Sequence, residues 1–133
     1  MTLPAFSPER AAAAERAGAR LDALAGKRKT IDVSALAPLR IVAVERGYLG
    51  RGCFNSTGEK TVLIPQSPVV VRQGRVRVAV VRGYLDQWAS FGELPSMIVS
   101  DRPGYGQLWH LDGLHRLVAA RLLGDPLRAG IWR

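Results

Sequence analysis

The stretch HLDGLHRLVAARLLGDP, His110 to Pro126, constrains the chain more than any other. An apolar run bounded by Gly113 on one side and by Gly124 with Pro126 on the other predicts a helix over residues 114–123. Its strongly polar residues are His115, Arg116 and Arg121, so most of its surface must face protein. Ala119 and Ala120 would let it pack close to a sheet, and LRAGIW after the stop reads as a closing strand.

The polar residues crowd the start of that helix, the end that attracts anions. Asp112 can cap the first turn and Gly113 lets the backbone turn tightly, leaving free N–H groups in the space shared by His115 and Arg116. Such donors, the aligned peptide dipoles and a guanidinium fork together favour a phosphate. The alternative is an Arg116 paired with Asp112 or Asp101 and a partly buried His115 without a chemical role. His110, Asp112 and His115 match no standard metal site, and Asp112 is at most a ligand for a magnesium ion brought in with a nucleotide.

Upstream, SPERAAAAERAGARLDALAGKRK reads as a helix with Ser7 as N-cap, Pro8 at the first helical position and Gly26 at its end. Its apolar face, Ala14, Ala17, Leu21 and Leu24, is narrow, which predicts a loosely docked or solvated helix. LRIVAVE after Pro38 has strand composition. RGYLGRGCFNSTGEK then places four glycines in fifteen residues, a long loop of the kind that carries function. It brushes against a phosphate-loop pattern and fails it: Glu59 intrudes between Gly58 and Lys60, and TVLIP reads as a strand where a helix is required.

SPVVVRQGRVRVAVVRG reads as strand, Gln73-Gly74 turn and strand, with Val76, Val78 and Val80 on one face. Arg72, Arg75, Arg77 and Arg82 then form a basic stripe for nucleic acid, or merely keep a sheet edge soluble. YLDQWASFG has Tyr84, Leu85, Trp88 and Phe91 at helical spacing and ends at Gly92. Strands follow at Met97 to Ser100 and Gln107 to Leu111, separated by a Pro-Gly turn.

The net charge of +8 on 133 residues, with arginine supplying 16 of 19 cations, points to polyanionic partners, nucleic acid first and nucleotide phosphates or an acidic protein second. The lone Cys53 excludes an internal disulfide and a thiolate metal cluster. No apolar run approaches the ~20 residues that span a bilayer, and the N-terminus lacks a signal peptide's apolar core. The expectation is a cytoplasmic protein without a membrane partner.

Around the helix start the chain resembles the ParB/sulfiredoxin-like superfamily, whose members include ParB N-terminal domains, sulfiredoxin, free serine kinase and ParB-like nucleases. The shared signature is a strand, a turn and a G-x-x-R-x-x-A helix, here Gly113, Arg116 and Ala119. A helix ending in Gly92, followed by a short link, Pro95 and a strand, is similar to a second family feature. The resemblance covers residues 76 to 132. It implies an α/β (α+β) domain over residues 39–133, a small mixed sheet flanked by helices, preceded by a helical segment over residues 1–38.

The resemblance further implies that Gly113, His115 and Arg116 contact the phosphates of CTP or ATP, with Asp112 shaping the turn or helping to hold Mg2+. Gly113 and Leu114 stand where sulfiredoxin has its reactive cysteine, so that reductase chemistry is not expected. With the chain ending at Arg133, no helix-turn-helix follows, which implies a free-standing domain. Three functions remain: a regulatory or partition-like module in which a nucleotide biases contact with DNA; a nuclease or phosphoryl-transfer enzyme with Arg116 and His115 as electrostatic stabilisers and Asp112 or Glu93 as base or metal ligand; and an inhibitor or adaptor that keeps the fold without the ligand. A homo-oligomer is compatible with each.

Overall fold

A computed structural model describes residues 7–44, 60–64, 66–100 and 108–132. Among these residues, three α-helices and a 3₁₀ helix pack with a six-stranded mixed sheet and a two-stranded ribbon around one core, a mixed α/β architecture as expected. The Gly-rich loop with Cys53, the Pro-Gly turn and Asp101 lie outside the described residues.

Helix α1 spans Pro8–Ala25. Ser7 caps it by accepting a hydrogen bond from the Arg10 N–H at 3.2 Å, and Gly26 stops it at a positive φ of 60°. Ala17, Leu21 and Ala25, spaced four apart, are buried against α2 (Val78–Phe91) and α3 (Leu114–Leu123). The expected loose docking is therefore wrong. Short alanines bring the helix close enough for Arg10 Nε to reach the Ala89 carbonyl at 3.2 Å and Arg20 Nη1 to reach that of Leu122 at 2.7 Å, and Asp22 pairs with Arg82.

After β1 (Thr30–Asp32), the 3₁₀ helix Val33–Leu39 buries Val33, Leu36 and Leu39, the every-third-residue repeat that a threefold helix puts on one side. Asp32 caps it at the Ser34 N–H, 3.0 Å away. The main sheet runs β2 (Ile41–Val44), β4 (Val69–Arg72), β7 (Leu108–Asp112), β6 (Met97–Ser100), β8 (Leu127–Trp132) and β3 (Lys60–Ile64). β2, β4 and β7 are parallel, β6 runs antiparallel to β7 and parallel to β8, and β3 closes antiparallel on β8. Val69, Val70 and Val71 are all buried, as a strand covered on both faces requires.

The expected hairpin across Gln73-Gly74 does not form. β4 belongs to the main sheet, whereas β5 (Arg75–Arg77) pairs antiparallel with β1, Val76 opposite Ile31. Val78 opens α2 instead of continuing a strand. Strand alternation lasts only through Arg75, Val76 and Arg77; from Val78 the apolar spacing changes to Val78, Val81 and Leu85, all buried on one helical face, and burial overrides the β preference of valine. Helix α2 ends at Gly92 and α3 at Gly124, both glycines in left-handed conformation.

Candidate functional site

The candidate site is the mouth of α3, where β7 delivers the chain. Gly113 itself occupies the N-cap position at φ 101°, so the expected cap by Asp112 does not occur and no side chain among the described residues caps the helix. A Cβ on Gly113 would lie 2.6 Å from the Met97 Cβ and 3.0 Å from its Cα, so α3 starts directly against β6. The first hydrogen bond of the helix runs from the Leu117 N–H to the Gly113 carbonyl at 3.0 Å. The N–H groups ahead of it are the orphan donors of any helix start.

Arg116 holds the mouth together. Its Nη1 donates to the Ser96 carbonyl, its Nε donates to the Tyr84 hydroxyl at 3.3 Å, and the guanidinium lies 5.9 Å from the Tyr84 ring centroid. Asp112 Oδ2 stands 3.7 Å from Nη2, a long ion pair whose carboxylate side chain is 66% exposed. Two edges of the fork are thus committed to protein, and Asp112 competes weakly for the third. Tyr84 and Ser96 were not expected as partners; they lie on α2 and on the link before β6, separated from Arg116 in sequence by 32 and 20 residues.

His115 is tied down differently. Its Nε2 accepts a hydrogen bond from the Arg77 backbone N–H at 3.0 Å, so the ring proton belongs on Nδ1 and the imidazole is neutral in this arrangement. Burial pushes its pKa down, and the Arg77 charge adds to that. Only Nδ1–H remains to serve a ligand. His110, two residues before Asp112 on β7, is half-buried, with Nε2 sealed off and without a hydrogen-bond partner. Burial lowers its pKa, Asp112 opposes this, and His115 and Arg116 reinforce it, which places the four groups in one electrostatic cluster.

Both histidines are harder to protonate in the folded chain than in the unfolded one, so protons bind preferentially to the unfolded state as pH falls. Their stabilising contribution is complete above the ordinary histidine pKa of 6.5 and is lost progressively below it. Melting temperature should therefore fall between pH 7 and pH 5, before the carboxylates titrate. A His110→Gln, His115→Gln double variant should show a flatter profile, and equal slopes would refute this assignment.

The structure separates the remaining candidates. Glu93 is exposed in the link after α2, lining a cavity of about 440 Å³ with Leu94, Ser96 and Arg128, and among the described residues no hydrogen bond or ion pair joins it to Asp112, His115 or Arg116. Arg72, Arg75, Arg77 and Arg82 are all exposed but do not form one stripe. Arg72 ends β4 of the main sheet, while Arg75 and Arg77 share the outer face of β5. Arg82 sits on α2, paired with Asp22. They part company because the second half of the expected hairpin is a helix. Arg75 stands opposite Asp32, whose carboxyl is held below its ordinary pKa by the Ser34 N–H and hydroxyl and, to a lesser degree, by Arg75.

Among the described residues, no three histidine, cysteine, aspartate or glutamate side chains group as metal ligands, and no helix is long and apolar enough to cross a membrane. No protein-family model matches the chain, and no curated protein or solved structure is significantly similar to it.

Proposed function

We propose that this chain is a nucleotide-phosphate-binding module of the ParB/sulfiredoxin-like type that acts with DNA in the cytoplasm in a regulatory or partition-like role. The observation that carries the reading is the uncapped mouth of α3. Gly113, in a conformation and a close approach that exclude a side chain, leaves the first-turn donors without a side-chain cap beside Arg116. A phosphate of CTP or ATP would take those donors and the Nη2 edge of Arg116 that Asp112 holds at 3.7 Å, with Nδ1–H of His115 as a further donor. When Mg2+ accompanies the nucleotide, Asp112 is the carboxylate at this mouth available to meet it. The surplus of cations, Arg75 and Arg77 on one exposed face among them, supports a DNA partner.

Binding of labelled CTP, ATP and GTP, with and without Mg2+, tests the reading. A triphosphate should bind, and Arg116→Lys, which keeps the charge but loses the planar fork, should weaken it about tenfold, roughly 1.4 kcal/mol. Asp112→Asn should tighten binding several-fold without Mg2+, because a competing carboxylate is gone, and lose that advantage with Mg2+ present. Silence with all three nucleotides, or affinity indifferent to Arg116→Lys, would overturn the phosphate site. DNA affinity should fall steeply with salt, and an Arg75→Ala, Arg77→Ala variant should flatten the log–log slope by about 2.

A further inference from the structure

The other end of α3 carries a cation that the nucleotide reading does not use. Arg121 is 3% exposed, the most deeply buried charged side chain among the described residues. Its Nη2 donates to the Ser67 carbonyl at 2.7 Å, and its Nη1 is sealed from solvent with no hydrogen-bond partner. No carboxylate among the described residues forms an ion pair with it. Asp125, four residues on, does not serve: burial alone perturbs that carboxyl, pushing its pKa up.

The charge that acts on Arg121 among the described residues has the same sign. Arg40 leaves the 3₁₀ helix in left-handed conformation at φ 58°, and its carbonyl accepts from the Val69 N–H at 3.1 Å, which fixes it beside the Ser67–Val69 segment that Arg121 reaches. Burial and the Arg40 charge both disfavour the protonated guanidinium of Arg121. An arginine does not escape this cost by losing its proton. A buried guanidinium with one unpartnered edge and a second arginine acting on it has no counter-ion among the described residues.

We infer that Arg121 and Arg40 form a second anion site, at the C-terminal end of α3, that takes an oxyanion of the phosphate class on the unpartnered Nη1 edge of Arg121. Ser67, whose carbonyl Arg121 meets, and Arg40 are both exposed, so the surroundings of Arg121 on that side are surface residues. Free phosphate and a phosphate carried on a larger ligand offer the same chemistry. The site is independent of the nucleotide site at the opposite end of the helix.

Titration of the full chain with inorganic phosphate, at ionic strength held constant with chloride, tests the inference through the arginine Nε–H NMR resonances. The Arg121 signal, assigned by its loss in Arg121→Met, should shift and saturate, and the melting temperature should rise by roughly 5 °C at saturation. Arg121→Met should melt higher than the parent in chloride, since it replaces an uncompensated charge with an apolar chain. Arg40→Gly suits a left-handed position and should weaken phosphate several-fold as read at Arg121. Running the same titration with a mononucleotide and with duplex DNA separates a free from a carried phosphate. An Arg121 resonance that stays still while phosphate saturates, or a midpoint unmoved by Arg40→Gly, overturns the site. A shift confined to Arg116 would support the nucleotide reading alone and overturn this one.

Discussion

Gly113→Ala is expected to destabilise the fold by about 4 kcal/mol, the sum of a left-handed backbone imposed on an L-residue and an overpacked contact. The backbone there has φ 101°, and the new Cβ would meet the Met97 Cβ at 2.6 Å and its Cα at 3.0 Å. Because one of those atoms is backbone, no rotamer change of Met97 relieves the clash; β6 or the start of α3 must move. Urea denaturation with matched m-values measures the effect. A loss under 1 kcal/mol would mean that α3 does not begin against β6, and the geometry of the mouth would fall with it.

Leu21→Ala is expected to cost about 3 kcal/mol, the range for emptying a fully buried leucine site. Leu21 has no exposed surface and lies in the core cluster shared by helices and sheet. A solvated N-terminal arm would instead lose almost nothing. Leu24→Ala, in the same helix but only partly buried, is the internal comparison and should cost less than half as much. Equal small losses at both positions would show that α1 is not part of the cooperative unit.

The helix ends at Gly92 and Gly124, the strands at Met97 and Leu127, and the run Leu114 to Leu123 were legible because their signals are local: left-handed glycines, prolines and one unbroken apolar period. The hairpin at Gln73-Gly74 was misread because the strand that pairs with β5 is β1, far upstream, and local valine content cannot report a distant partner. The docking of α1 was underestimated for a related reason. Alanines contribute little apolar area, but they allow the close approach that buries Leu21.

At the candidate site, the residues Gly113, His115 and Arg116 could be named from their pattern, but their attachments could not. His115 accepts from a backbone N–H 38 residues earlier, and a backbone donor leaves no mark on the sequence. Arg121 is visible in the sequence as a polar residue in the apolar second half of α3; that it is sealed with no counter-ion among the described residues depends on Arg40 and Ser67, which only the fold brings to it.

The sheet order bears on how the chain acquires its structure during synthesis. β3, one of the earlier strands, pairs through Lys60 opposite Ile131 and Ile64 opposite Leu127, and β8 also supplies the parallel neighbour of β6. Two of the six strands of the main sheet, β3 and β8, therefore wait for residues 127–132 to leave the ribosome. Until then β3 and the outer side of β6 offer unsatisfied backbone to any neighbouring chain, a window in which slow closure of distant pairs favours aggregation. Shortening the chain by its last strand should yield a polypeptide that coheres poorly, whatever becomes of the helices.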